Sequence, residues 1–230
     1  MEILEDINIA CTISGFENPT LPFLEKSLNL DEIFVANPSS TRIIAAPNQV
    51  LSRGVDKGDW LLVNSSLAPK QSDLLYAMSN GECGLVTYET AMRASERSDC
   101  IEIVGVVQQS IHFYRGAEDI PEHSNLNDVT LHELLVEKEH ATIIARATGE
   151  SMLPYVHTND FMLIERHLDY RHYDVCVVAL NGDLVLKRLN LAARSLQSDN
   201  PSFKPHFIQQ SDRITIEGVC NKVFRLHRKA

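Results

Sequence analysis

No apolar run in this 230-residue chain approaches the roughly 18–20 residues that cross a bilayer, so a membrane-spanning protein is not expected. The opening Met1-Glu2-Ile3-Leu4-Glu5-Asp6 carries acids where a secretory signal starts basic, which makes a cytoplasmic protein the expectation. The five cysteines, Cys11, Cys83, Cys100, Cys176 and Cys220, show no C-x-x-C spacing. They are read as reduced thiols, several of them small hydrophobes inside apolar strands. Positive charge is scarce: 21 Lys and Arg against 31 Asp and Glu leave a formal net charge of −10. Duplex DNA repels such a surface overall. The single compact basic cluster, Arg225-Leu226-His227-Arg228-Lys229-Ala230, is expected to be a solvated chain end.

A metal-ligand pattern is also missing. His132-Glu133-Leu134-Leu135-Val136 begins like the zincin motif but has Val136 where the second histidine must stand. His167 and His172 bracket a loop and lack a third donor for tetrahedral zinc. No metal and no cofactor are expected. Residues 1–40 are too short for a three-helix helix–turn–helix module ahead of the first strand, and direct sequence-specific DNA binding is not expected either.

What the chain has instead is a repeat. A shift of 101 positions lays Thr41 on Thr142, Ile43 on Ile144, Asp59 on Asp160, Leu62 on Leu163 and Asp73 on Asp174. The same shift lays Asn80-Gly81-Glu82 on Asn181-Gly182-Asp183. Further on, with a gap, Ile101–Val106 matches Ile214–Val219, and Ile111–Arg115 matches Phe224–Arg228. An ordered series at one offset reads as a duplication, so both halves are expected to share a fold.

That fold reads as mostly β. Ala141–Ala147, Phe161–Glu165, Val175–Leu180, Leu184–Leu189 and Ile214–Val219 are short runs rich in Val, Ile and Leu. Turn formers separate them: Thr158-Asn159-Asp160, Asn181-Gly182-Asp183 and Ser198-Asp199-Asn200-Pro201. Asn-Gly between two apolar runs is the strongest short hairpin signal, and it occurs in both halves. Two β-domains are expected, 1–115 and 116–230, with a polar connector near 116–127 and a short helix or turn within Asp128–Glu137.

Gly149-Glu150-Ser151-Met152 follows a strand directly, and a small residue there lets the chain turn so that a hydroxyl projects beside open backbone N–H groups. Lys187 lies inside the otherwise apolar strand Leu184–Leu189, 36 residues after Ser151. Burial lowers a lysine's pKa, and a neutral amine can take the proton of a serine hydroxyl. At the 101 offset the first half has Val50 for Ser151 and Val86 for Lys187, so it cannot run this chemistry; Ser52, two residues on, has no base partner.

These motifs come with a context. Leu131–Leu135, Ala147-Thr148-Gly149-Glu150-Ser151-Met152, Asn159–Ile164, Tyr173-Asp174-Val175, Gly182–Leu189 and Gly218-Val219 resemble, in order and spacing, the catalytic domain of the UmuD and LexA family of self-cleaving peptidases. The resemblance covers residues 116–230. It implies Ser151 as nucleophile, Lys187 as general base, and the backbone N–H groups of Glu150 and Ser151 as the oxyanion site. It also implies cleavage of the chain's own N-terminal arm at a small residue followed by Gly. Ser14–Gly15 fits that description; Arg115–Gly116 stands at the family's usual distance before the serine and is the alternative.

By the same resemblance the halves form an intramolecular pseudo-dimer of two LexA/UmuD-like β-folds. RecA filaments would promote cleavage in the DNA-damage (SOS) response, and the processed form would serve a UmuC-like error-prone polymerase. The alternative is a non-hydrolytic module, such as a phage or plasmid antirepressor, that pairs with UmuD- or LexA-like proteins.

Overall fold

Asn80 and Asn181 both adopt positive φ (52° and 53°), and each is followed by a glycine in the same region (84° and 102°). Both dipeptides therefore close tight hairpins whose twist matches that of the flanking strands. The computed structural model describes residues 29–97, 101–115, 120, 126–127 and 129–228, and everything below refers to these. The chain is mostly β.

The first half runs α1 (Leu30–Phe34), β1 (Thr41–Ala45), β2 (Trp60–Asn64), β3 (Leu74–Ser79), β4 (Glu82–Thr87), α2 (Tyr88–Glu96) and β5 (Ile101–Phe113). The second runs α3 (Leu131–Leu135), β6 (Thr142–Arg146), β7 (Phe161–Glu165), β8 (Val175–Leu180), β9 (Asp183–Asn190), β10 (Ser195–Gln197), β11 (His206–Phe207) and β12 (Ile214–Leu226). The helix expected within Asp128–Glu137 is α3, and its start is set by a capping box between Thr130 and Glu133. A 3-10 turn at Glu139–Ala141 delays the strand expected from Ala141, so β6 begins at Thr142. The run expected to end at Val219 continues to Leu226, because bulges at Glu217 and Asn221 bend one long strand past two neighbours.

Strand pairing in the two halves is the same. Thr41 faces Asn64 across β1–β2, and Thr142 faces Glu165 across β6–β7. Leu74 faces Thr87 across β3–β4, and Val175 faces Arg188 across β8–β9. The bulges of β5, at Val104 and Gln108, recur in β12 at Glu217 and Asn221. Next to the first of each pair sits a glycine with no room for a side chain: a Cβ on Gly105 would lie 2.7 Å from Val63, and one on Gly218 would lie 2.7 Å from Ile164. The halves differ where α2 stands in the first, since the second there carries the end of β9, β10, β11 and the intervening loop.

β5 and β12 join the halves as an antiparallel pair, with Ile111 opposite Phe224 at the centre. The core is accordingly shared. Leu30, Phe34, Ile43, Trp60 and Leu62 pack in one cluster with Leu131, Leu135, Ile144, Phe161 and Leu163. Phe34 stacks on Phe224 at 4.8 Å and meets Phe161 edge-on at 5.3 Å. The Asp31 carboxylate accepts from the backbone N–H groups of Leu131 and His132, capping α3 from the other half.

The basic cluster at 225–228 is not a solvated end. Arg225 is 9% exposed and pairs with buried Asp160 at 2.6 Å, while donating to the carbonyls of Arg53 and Tyr155. Arg228 bonds Asp73 and the Ala68 carbonyl in the first half, as Arg115 bonds Asp174 and the Asp169 carbonyl in the second. Charge in this cluster holds the two halves together.

Candidate active site

Ser151 stands on a turn that the surrounding loop braces from both ends. Gly149 adopts φ 87°, which reverses the chain after β6 without a side-chain clash. Met152 is buried against Ala147, Val156 and Met162, anchoring the turn to the core just past the serine. The Ala147 N–H donates to the Asp160 carbonyl at 2.8 Å, the Val156 N–H to the Met152 carbonyl at 3.0 Å, and the Thr158 hydroxyl to the Gly149 carbonyl at 3.1 Å.

Lys187 lies on β9 opposite Cys176 of β8, half-buried, and its Nζ donates to Ser151 Oγ at 2.7 Å. Burial lowers the lysine's pKa from its ordinary 10.5, with the Asp199 carboxylate opposing part of that shift. The pair opens on a cleft of about 500 Å³ between β6–β7 and β9, lined by Ile143, Met162, Ile164, Val177, Val185 and Leu186, with Arg146, Arg166 and Glu217 as its charged residues apart from Lys187. The N–H groups of Glu150 and Ser151 donate to no acceptor among the described residues, and Glu150 is exposed. Hydroxyl and amine thus lie together in the lining of a mostly apolar groove, the pairing that activates a serine for acyl transfer.

Several residues around the pair carry no sequence signal of their own. Arg188 grips Asp199 through two bonds, of 2.7 and 2.9 Å. The Tyr114 hydroxyl, from the end of β5, donates to the same carboxylate at 3.3 Å, and Arg188 lies over the Tyr114 ring. Burial raises the Tyr114 phenol far above its usual range and keeps it a donor. His112 of β5, bonded to Asp59, stacks on Tyr155 of the serine loop at 4.6 Å. Ser198–Pro201 reads in sequence as a mere turn, and only its position beside the serine loop reveals more.

In the first half, Val50 and Val86 hold the places of Ser151 and Lys187. Val50 pairs with Val55 in an isolated bridge and packs against the cluster around Leu61, whereas Val86 packs against Leu75, Ala91 and Val106. Ser52 is exposed within the 3-10 turn Leu51–Arg53. Of the two expected cleavage sites, Ser14–Gly15 and Gly116 lie outside the described residues, and Arg115 has its guanidinium bound to Asp174 and the Asp169 carbonyl, each at 2.6 Å. Among the described residues no three His, Cys, Asp or Glu side chains converge as metal ligands, and no helix is long and apolar enough to cross a membrane.

A family model described as Peptidase S24-like matches residues 110–220, a span that contains both Ser151 and Lys187. Protein ImpA of Salmonella typhimurium, like that of Escherichia coli, is 30% identical over 105 residues, which is 44% of this chain and 69% of ImpA. Protein MucA of Escherichia coli is 30% identical over 95 residues, 40% of this chain and 65% of MucA. With a relative matched at that identity over more than two thirds of its length, and the family model lying over the half that holds the serine and the lysine, the chain belongs to the Peptidase S24-like family of UmuD- and LexA-type proteins.

Proposed function

We propose that this chain is a self-cleaving Ser–Lys peptidase of the UmuD type, with Ser151 as nucleophile and Lys187 as general base. The observation that carries the reading is the 2.7 Å bond between Lys187 Nζ and Ser151 Oγ inside the cleft. Neutral Lys187 takes the hydroxyl proton as Ser151 Oγ bonds to the carbonyl carbon of Ser14. The oxyanion is held by the N–H groups of Glu150 and Ser151. The ammonium then returns its proton to the Gly15 nitrogen as the C–N bond breaks, leaving Ser14 esterified to Ser151. Water, deprotonated by Lys187, hydrolyses that ester and restores both groups.

Ser14–Gly15 is the favoured bond because a small residue precedes the glycine there, as the resemblance asks, whereas Arg115 is tied down at the end of a paired strand. The halves 1–115 and 116–230 act as a built-in dimer, which holds the partner fold at high effective concentration. The common strand registers support that arrangement. By its family the protein serves the DNA-damage response in the cytoplasm, with RecA filaments promoting cleavage and a UmuC-like polymerase receiving the processed form.

Intact mass after incubation at alkaline pH tests the chemistry. Loss of residues 1–14 in the wild type, abolished by Ser151→Ala and by Lys187→Ala, is the expected result. Two fragments of 115 residues each would move cleavage to Arg115–Gly116. Cleavage that survives Lys187→Ala sinks the dyad, and an inert wild type favours the interaction-module reading. Light scattering of the dilute protein should give about 25.8 kDa; a dimer of the whole chain would argue against the built-in dimer.

A further inference from the structure

The second half differs from the first in the segment between β9 and β12, and that segment reaches back to the serine loop. Asn200 makes two bonds to that loop, and its side-chain oxygen braces its own turn. Its Nδ2 donates to the Glu150 carbonyl at 2.9 Å, its backbone N–H donates to the Ser151 carbonyl at 3.0 Å, and its Oδ1 accepts from the Ser202 N–H at 3.0 Å. The preceding residue, Asp199, is fixed by Arg188 and by the Tyr114 hydroxyl. The turn is thus tied to β9 on one side and to β5 of the other half on the other.

A peptide unit is planar, so the carbonyl of Glu150 and the N–H of Ser151 move as one body. Whatever holds that oxygen also aims that N–H. Loops that carry catalytic donors need such support, because an orientation error of a fraction of an ångström weakens oxyanion stabilisation. We propose that Asn200 is a positioning residue for hydrolysis at Ser151: by donating to the Glu150 carbonyl, its carboxamide aims the Ser151 N–H at the developing oxyanion. Tyr114 and Arg188 hold the turn from which it acts. The half without a dyad thereby takes part in the reaction through Tyr114. The inference rests on the peptidase reading and adds to it a residue that never touches substrate.

Asn200→Asp separates positioning from mere turn structure. Aspartate keeps the size and the acceptor for the Ser202 N–H but removes the donor to Glu150. Self-cleavage is followed by intact mass on the alkaline plateau, where any change in the Lys187 midpoint drops out. Labelling of Ser151 by a fluorophosphonate is measured alongside. Both rates should fall about 10- to 100-fold in Asn200→Asp and in Asn200→Ala, with the thermal midpoint of Asn200→Asp unchanged. If Asn200→Ala fails to fold, the aspartate variant decides alone. Wild-type rates in Asn200→Asp overturn the positioning role and leave the dyad standing. A wild type that neither cleaves nor labels overturns the peptidase reading, and this inference falls with it.

Discussion

Ile111 and Phe224 face each other at the middle of the β5–β12 pair, and they are also equivalent positions of the two halves. On either side the pairing reads the same in both directions: Phe113 faces Lys222, and Gln109, the equivalent of Lys222, faces Leu226, the equivalent of Phe113. The pairing is therefore symmetric about an axis between Ile111 and Phe224, the arrangement that the proposed built-in dimer asks for. Around it lies a core to which both halves contribute, so neither half has a separate interior for this part of its surface.

Truncating the residue on that axis should loosen both halves at once. Phe224 is fully buried and stacked on Phe34, so Phe224→Ala is expected to cost about 3–5 kcal/mol. Chemical denaturation, followed by the fluorescence of Trp60 in the first half and by circular dichroism of the whole, should show one shared transition. Separate transitions for the two signals in the wild type would contradict a single cooperative core.

The proposed dyad would make self-cleavage pH-dependent with a definite sign. The reactive form of Lys187 is neutral, and burial lowers its pKa below 10.5, so the rate should rise with pH and level off before a solvated lysine would. The Asp199 carboxylate works against that shift. Asp199→Asn should consequently move the midpoint of the rate profile to lower pH. An unmoved or raised midpoint would mean that the charge of Asp199 does not reach the amine.

Much of this fold is legible in the sequence, for physical reasons that also set the limit of what is legible. The hairpins at Asn80-Gly81 and Asn181-Gly182 are local events, and two residues suffice to signal them. Ser151 and Lys187 say little singly, since serines are common in turns and strand lysines reach solvent, and it is the family resemblance that joins them. Arg225 and Arg228 look like a solvated tail because their partners, Asp160 and Asp73, are 65 and 155 residues away. Asn200 is silent for another reason: a turn-forming asparagine looks the same whether or not its amide reaches the serine loop. That Ile214–Val219 and the closing strand matched at Phe224 are one strand depends on bulges, which leave no dependable trace in an apolar pattern.

Acid should destabilise the join between the halves. His227 Nε2 lies 2.8 Å from the Ser110 hydroxyl, and burial, with Arg225 and Arg53 nearby, pushes the His227 pKa down to about 3. The ring is thus neutral in the folded protein, while the unfolded chain takes up a proton near pH 6.5. A depressed folded pKa gives stability that is complete above the unfolded value and is lost as pH falls below it. From this group the loss amounts to at most about 1.4 kcal/mol per pH unit between those two values. His227→Gln should flatten that part of the stability profile measured by urea unfolding. An unchanged slope would assign the acid sensitivity elsewhere.

Restoring the dyad alone should not revive the first half. Asn48, the equivalent of Gly149, accepts from the Leu85 N–H at 2.7 Å and donates to the Leu85 carbonyl at 3.3 Å. Its amide thus takes both backbone groups of the strand edge that corresponds to Leu186, which in the second half borders the cleft. Gly149 has no side chain with which to do the same. A Val50→Ser/Val86→Lys pair, placed in a Ser151→Ala background, would have its serine beside an edge already filled by an amide. The segment that corresponds to Asn200 is also replaced there by helix α2. The expected outcome is no self-cleavage by intact mass and no fluorophosphonate label in the first half. Asn48→Ala in the wild type should cost about 1–3 kcal/mol of stability, since it leaves two backbone groups without their partner, and should leave cleavage by Ser151 unaltered. A grafted pair that labels or cleaves would show that the seal at Asn48 is not what keeps this half inactive.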